Sequence, residues 1–384
     1  MPPLACQSAA FSLPRDVHYL NCAYMGPLPR ASQDAGIAAI ARKANPSTIA
    51  PADFFSEASE VRRLFAELIN AEDASRIAII PAVSYGLATV ARNTPVVRGQ
   101  NIVVVGEDFP SNIYTWRRVA KQSSVELRVV AAPPGTQRGA AWNVRVLEAI
   151  DRTTAVVALP HVHWADGTRF DLAGIGRAAR DVGAALIVDG TQSVGALPFD
   201  VKEIQPDALV CAGYKWLLGP YSIAIAYFGP RYDGGAPIEE NWIARKGSED
   251  FQRLVDYEDE YAPGAVRYDG GERSNFILLP MFIAALRLIL ELTPKRIQRY
   301  CERLTEAPIE RARELGFVTE DAQWRGAHLF GLRAPARVDL KRLHQSLQAH
   351  KVAASLRGSA LRVSPNVYNG AHDLDALVQV LALS

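Results

Sequence analysis

Two side chains set the first chemical question. Asp189 ends an apolar run, Ala184 to Val188, and Lys215 follows another, Asp207 to Cys211. The polar turn Gly190-Thr191-Gln192 and a looped stretch closed by Pro206 lie between them. Read as strands, the two runs bring a carboxylate and an amine to the same edge of a sheet. Lys215 stands among Tyr214 and Trp216-Leu217-Leu218, and apolar surroundings disfavour a charged amine. A neutral lysine can form a Schiff base with an aldehyde. A buried aspartate needs a cationic or hydrogen-bonding partner. A pyridinium nitrogen would serve, and the pairing keeps such a ring an electron sink. Gln192 could donate to a phenolate oxygen on that ring. The plainer alternatives are a snorkelling surface lysine and a turn-forming aspartate.

Other residues add to this picture. Val83-Ser84-Tyr85-Gly86 lies between a strand and a helix, where helix amides and the Ser84 hydroxyl can hold a phosphate. Tyr214 is a further phosphate donor. Phe109 could stack on a planar ring, although an aromatic at a strand end is more often core. His161, with His163 and Asp166, invites a zinc reading. No other His or Cys lies close in sequence, so His161 is read as a ring-side acid/base or stacking group and no metal is expected. Arg362, inside the apolar strand Ala360-Leu361-Arg362-Val363, is expected to meet a carboxylate, either a substrate's or the chain's own. Arg357 is a second candidate for the same task.

The elements that would position these groups follow from periodicity. Residues 52–69 carry one helical apolar stripe. Short apolar runs at 76–80, 101–105, 125–130, 154–159, 184–188, 207–211 and 222–228 read as strands. Helices are expected at 87–92, at 112–121 with Ser111 as N-cap, at 144–150 and at 172–182. Buried strands alternating with amphipathic helices mean an α/β fold with a mostly parallel sheet between helices. Ligands in such sheets bind beyond the carboxyl ends of the strands, where Ser84, Phe109, His161 and Asp189 all fall. After Gly229 comes a loop-rich connector, 230–275. Helices at 276–292 and 294–315 then lead to a smaller α+β segment with strands at 329–332 and 361–363 and helices at 338–350 and 371–382. The expected division is an N-terminal arm, 1–20, joining the small domain, a large cofactor-binding domain, 21–265, and a small C-terminal domain with its connecting helix, 266–384.

The chain has 384 residues, with 42 basic against 41 acidic. No block of like charge points to nucleic acid or to a membrane surface, so a small molecule is the expected partner. Cys6, Cys22, Cys211 and Cys301 form no CxxC pair, which argues against a disulfide framework. The start, MPPLACQSAAFSLPRD, lacks the basic and apolar regions of a signal peptide. A cytoplasmic protein is expected. No GxGxxG or Walker sequence follows any strand, which removes a nucleotide-dependent α/β enzyme. A cofactor-bound but non-catalytic module is the rival from another class.

Asp189-Gly-Thr-Gln192 followed by Gly213-Tyr214-Lys215 resembles the class V aminotransferase superfamily, and the resemblance runs from Leu20-Asn21 to Tyr368-Asn369-Gly370. It implies fold type I, a pyridoxal 5'-phosphate cofactor, an α-amino acid substrate and a homodimer. It further implies that Lys215 is the Schiff-base lysine, Asp189 the pyridinium partner and Gln192 the residue at the ring hydroxyl. Ser84 and Tyr214 become phosphate contacts and Arg362 the carboxylate-binding residue. Phe109-Pro110-Ser111 is similar to the kynureninase motif whose Phe stacks on the ring, with Asn112 where that family has Asp. Isopenicillin N epimerase and cysteine desulfurases are other relatives by resemblance. Desulfurases carry a mobile cysteine before the carboxylate-binding arginine, and residues 357–362 contain none. Gly271-Glu272-Arg273 stands where desulfurases bring a Gly-Thr to the partner's phosphate. Transamination, epimerisation and β-elimination all remain open.

Overall fold

The computed structural model describes residues 3–135 and 137–384. Met1, Pro2 and Thr136 lie outside the described residues. In chain order the strands are β1 (His18–Tyr19), β2 (Ile77–Ile80), β3 (Asn101–Val105), β4 (Glu126–Val130), β5 (Thr154–Pro160), β6 (Ala185–Asp189), β7 (Ala208–Ala212) and β8 (Ala224–Phe228). They continue as β9 (Phe330–Arg333), β10 (Val352–Ala353), β11 (Ser355–Arg357) and β12 (Ala360–Val363). The helices are α1 (Arg30–Ala44), α2 (Asp53–Leu68), α3 (Val83–Arg92), α4 (Pro110–Ser123), α5 (Gly139–Glu148), α6 (Leu172–Asp181), α7 (Val201–Ile204), α8 (Leu278–Leu292), α9 (Pro294–Glu314), α10 (Leu340–Ala349) and α11 (Ala371–Ala382).

Seven strands form one sheet in the order β2-β8-β7-β6-β5-β3-β4. All neighbours are parallel except β8, which runs antiparallel to both β2 and β7. Strand residues alternate between the two faces. Leu186 and Val188 join the core on one side with Phe65, Trp142 and Trp216. Ala185 and Ile187 join the other with Trp116 and Tyr268. Both faces are covered over the inner strands, which read as apolar runs, whereas the edge strand β4 carries Glu126 and Arg128 and is largely not buried.

A third core gathers Leu20, Ile309, Phe317, Phe330, Leu343 and Leu361 around the antiparallel sheet β11-β12-β9. The chain's start reaches it through the parallel pair β1–β10, which joins His18 to Val352. The fold is therefore α/β, with a large sheet domain and a smaller C-terminal α+β domain.

Several local expectations change. Helix α1 has no counterpart in the sequence reading. Its outward Ile37 and Ile40 are 67% and 57% exposed, which blurs the apolar stripe that periodicity detects. Helix α4 begins at Pro110 with Phe109 as N-cap, so Ser111 is not the cap. Proline suits the first helical position because it has no N–H to lose there. Helix α3 begins at Val83 rather than Leu87, which puts Ser84 in its first turn. Arg273 does not reach outward. It is buried against Asp269, 2.7 Å away, and Asp269 also pairs with Arg62 and accepts from the Ile79 amide at 2.7 Å.

Candidate active site

The carboxyl ends of β5, β6 and β7 open on a cavity of about 390 Å³. Its lining includes Val83, Ser84, Asp108, Phe109, Trp164, Asp189, Gln192, Tyr214 and Lys215. The predicted groups at 83, 84, 109, 189, 192, 214 and 215 therefore converge on one space.

Lys215 lies in the loop after β7. Gly26 holds this loop from below. Its amide donates to the Tyr214 carbonyl at 2.9 Å, and a β-carbon at Gly26 would meet the Lys215 carbonyl oxygen at 2.1 Å. Only glycine permits that approach. The Lys215 side chain is 7% exposed. Burial pushes its amine down to about 8; Asp189 opposes the shift, and Arg362 and Arg357 add to it. The amine sits 5.6 Å from the ring centres of both Phe109 and Tyr214.

Asp189 is held by two donors, the Asn112 side chain at 3.0 Å and the Thr191 amide at 2.8 Å. The same Asn112 nitrogen reaches Asp108 at 3.2 Å, so one amide bridges two carboxylates. The Asn112 oxygen is buried without a partner. Burial pushes Asp108 up to about 7; His163 opposes the shift and Asp189 adds to it. Sequence reasoning missed Asp108. The available signal was an acid just ahead of the α4 N-terminus, four residues before Asn112.

Gln192 is buried with its amide engaged at both ends. It donates to the Ala23 carbonyl at 3.1 Å and accepts from Trp216 at 2.9 Å. An amide nitrogen has two hydrogens, so one donor remains for a ligand. Tyr214 packs on Tyr221 with ring centres 4.6 Å apart. At α3 the first hydrogen bonds back to Ala82 come from Tyr85 and Gly86. The Val83 and Ser84 amides are thus the open N-terminal donors of that helix. Such an end favours an anion.

His161 does not line this cavity. Pro160 and Val162 do, and alternation turns the residue between them away. His161 borders a separate pocket with Arg169 and Phe170 and packs edge-on against Phe199. Burial pushes its imidazole down to about 3. A ring-side role does not fit that position. His163 points elsewhere again, bonded to Asp166 at 3.1 Å and to the Glu107 carbonyl at 2.9 Å. The two histidines therefore share no metal point. Among the described residues, the convergent metal-ligand side chains are His18, His372 and Asp373, away from this cavity.

Arg362 is buried and meets no carboxylate among the described residues. One nitrogen donates to the Trp164 carbonyl at 2.9 Å, while Nε and the other terminal nitrogen are buried without partners. Arg357 lies 5.7 Å over the Trp164 ring. Neither arginine is among the cavity's lining residues; Trp164, which is, touches both and was not singled out from sequence.

The arrangement suits a flat, phosphorylated aldehyde. An amine of lowered basicity, a carboxylate, an aromatic ring and a helix N-terminus face one space. The unpaired Asn112 oxygen and Arg362 nitrogens are further groups left for ligands. The family model for aminotransferase class V matches residues 44–377. An uncharacterized aminotransferase, YcbU of Bacillus subtilis, is 26% identical over 322 residues, 84% of this chain and 82% of that protein. A probable cysteine desulfurase of Methanothermobacter thermautotrophicus is 30% identical over 255 residues, 64% of this chain and 59% of that protein. Among solved structures, a complex of the cystine C-S lyase C-DES with cysteine persulfide superposes with a TM-score of 0.85 at 20% identity, covering 96% of this chain and 98% of that one.

Proposed function

We propose a function from one premise: the chain belongs to the class V aminotransferase family. It is a pyridoxal-5'-phosphate-dependent enzyme that acts on an α-amino acid, with Lys215 as the residue that holds the cofactor and moves the α-proton. The observation that carries this reading is the buried Lys215 amine, pushed down to about 8, in the cavity that also holds Asp189. When bound, the cofactor supplies an aldehyde for amines and a ring that takes up electrons from Cα.

The chain's own residues divide the remaining work. The α3 N-terminus, with Ser84, offers donors to a phosphate, and Tyr214 adds a hydroxyl. Asp189, oriented by Asn112 and Thr191, supplies the negative charge for a ring nitrogen. Phe109, 41% exposed, offers a face for stacking. Arg362 offers two unpaired nitrogens, Nε and Nη2, to a carboxylate, in the fork geometry that suits one. Lys215, neutral in a useful fraction at physiological pH, takes a proton from Cα and can return it.

A desulfurase route through a cysteine of this chain is not favoured. Cys22, Cys211 and Cys301 are buried, and burial pushes the Cys22 thiol up to about 11. Cys6 is exposed but contacts the carbonyls of Tyr368 and Asn369, outside the cavity lining.

The exposed apolar side chains of α1, with Tyr221 and Trp242, support a homodimer. Four free cysteines support a reducing, cytoplasmic setting. A division near residue 266, with residues 1–20 attached to the small domain, is supported by the β1–β10 pair and by Leu20 in the C-terminal core.

The test is hydrogen exchange at Cα. Transamination, epimerisation and elimination all begin by removing that proton. In heavy water, at least one amino acid from a full panel should gain deuterium at Cα, and the gain should vanish in Lys215→Ala. No exchange with any amino acid would overturn the reading.

A further inference from the structure

We propose that the substrate carries a second anionic group, so that its class is an α-amino acid with an acidic side chain. The proposal rests on the amino-acid reading above and concerns which amino acid is taken.

It starts from strand register. Ser355 pairs with Arg362 and Arg357 pairs with Ala360 across β11 and β12. Paired residues share a face, and so do residues two apart along a strand. Arg357 and Arg362 therefore project from the same face of one hairpin. Trp164, which lines the cavity, touches both. Its carbonyl accepts from Arg362 at 2.9 Å, and its ring lies 5.7 Å below Arg357.

Neither arginine has a carboxylate partner among the described residues. Their hydrogen bonds go to the backbone carbonyls of Trp164 and Leu356. Three guanidinium nitrogens, Nε and Nη2 of Arg362 and Nε of Arg357, are buried without partners. A buried cation lacking a counter-charge is costly, and here Arg357 stands close enough to disfavour the charge on Arg362, while both disfavour it on Lys215. By contrast, the buried pair Arg62 and Arg273 shares Asp269. One α-carboxylate answers Arg362 and leaves Arg357 uncompensated. Arg357 is the less buried of the two and so suits the far end of a substrate. A second carboxylate, or a sulfinate of similar shape, completes the charge balance.

The test uses unreactive acids, so that it reads recognition without turnover. Calorimetry on the cofactor-loaded protein compares butyrate, succinate and glutarate. The expected result is at least tenfold tighter binding of one diacid than of butyrate. Arg357→Gln should reduce that diacid to the level of butyrate, and Arg357→Lys, which keeps the charge, should retain part of the advantage. Arg362→Gln should weaken all three acids. Retained cofactor absorbance establishes that each variant is folded. Equal binding of all three acids to the wild-type protein overturns this proposal alone, as does a diacid advantage that survives Arg357→Gln. Failure of every acid to bind a protein that holds cofactor overturns the amino-acid reading as well.

Discussion

The lowered basicity of Lys215 can be measured before any substrate is known. A fall from 10.5 to about 8 corresponds to ~3 kcal/mol of differential stabilisation of the neutral amine. At pH 7 about one Lys215 in ten is then neutral, against about one in three thousand for an ordinary lysine, a difference of about 300-fold. Reductive methylation of the cofactor-free protein, followed by peptide mass spectrometry across pH, reads this fraction directly. Lys246 is the internal control, because its pairing with Glu260 raises its pKa. Lys215 should reach half-maximal reactivity near pH 8, well below Lys246. Arg362→Gln should move that midpoint up, since the guanidinium disfavours a charged amine. Asp189→Asn should move it down, since the carboxylate favours one. A Lys215 profile that coincides with Lys246 would refute the reasoning, as would shifts of opposite sign in the two variants.

Other outcomes follow from the same geometry. Asp108 is buried with its carboxyl pushed from 3.8 up to about 7, so the folded state holds a proton that the unfolded state loses in between. Stability should fall as pH rises from about 4 to 7, and Asp108→Asn should remove that slope and gain roughly 2–4 kcal/mol at pH 8, measured by denaturant titration. Arg362→Gln should raise KM for the amino-acid substrate by about 10- to 100-fold, the worth of hydrogen bonds to a charged group, in steady-state kinetics. Gly26→Ala should displace the Lys215 loop and weaken cofactor retention, measured by absorbance after dialysis. Asp269→Asn should destabilise the fold by ~3–5 kcal/mol, because it strips Arg62 and Arg273 of their buried counter-charge; urea unfolding reads the loss.

Much of the sheet was legible because its strands are buried on both faces. Apolar runs such as Ile102–Val105 need no partner to be recognised. The short strands β1, β10 and β11 were not legible. Two or three residues carry no period, and the β1–β10 pair joins positions over 300 residues apart, as His18 with Val352. Helix α1 was hidden by its exposed isoleucines. For the site, convergence at strand ends placed Ser84, Phe109, Asp189 and Lys215 together. Facing was harder to read. Near a strand end, one residue of offset sends a side chain to the opposite side, which is why His161 falls outside the cavity while Val162 lines it. Partnerships across the fold were also out of reach. Nothing local to Arg362 says that its neighbour is the Trp164 carbonyl, and nothing local to Asp108 says that Asn112 ties it to Asp189.

Lys215 as the residue that holds pyridoxal phosphate is the central claim. It is tested by supplying the cofactor, reducing the protein with borohydride and mapping its peptides by mass. The account predicts one phosphopyridoxyl group, on the peptide containing Lys215, and none in Lys215→Ala. An unmodified Lys215 in protein that has taken up the cofactor would contradict it.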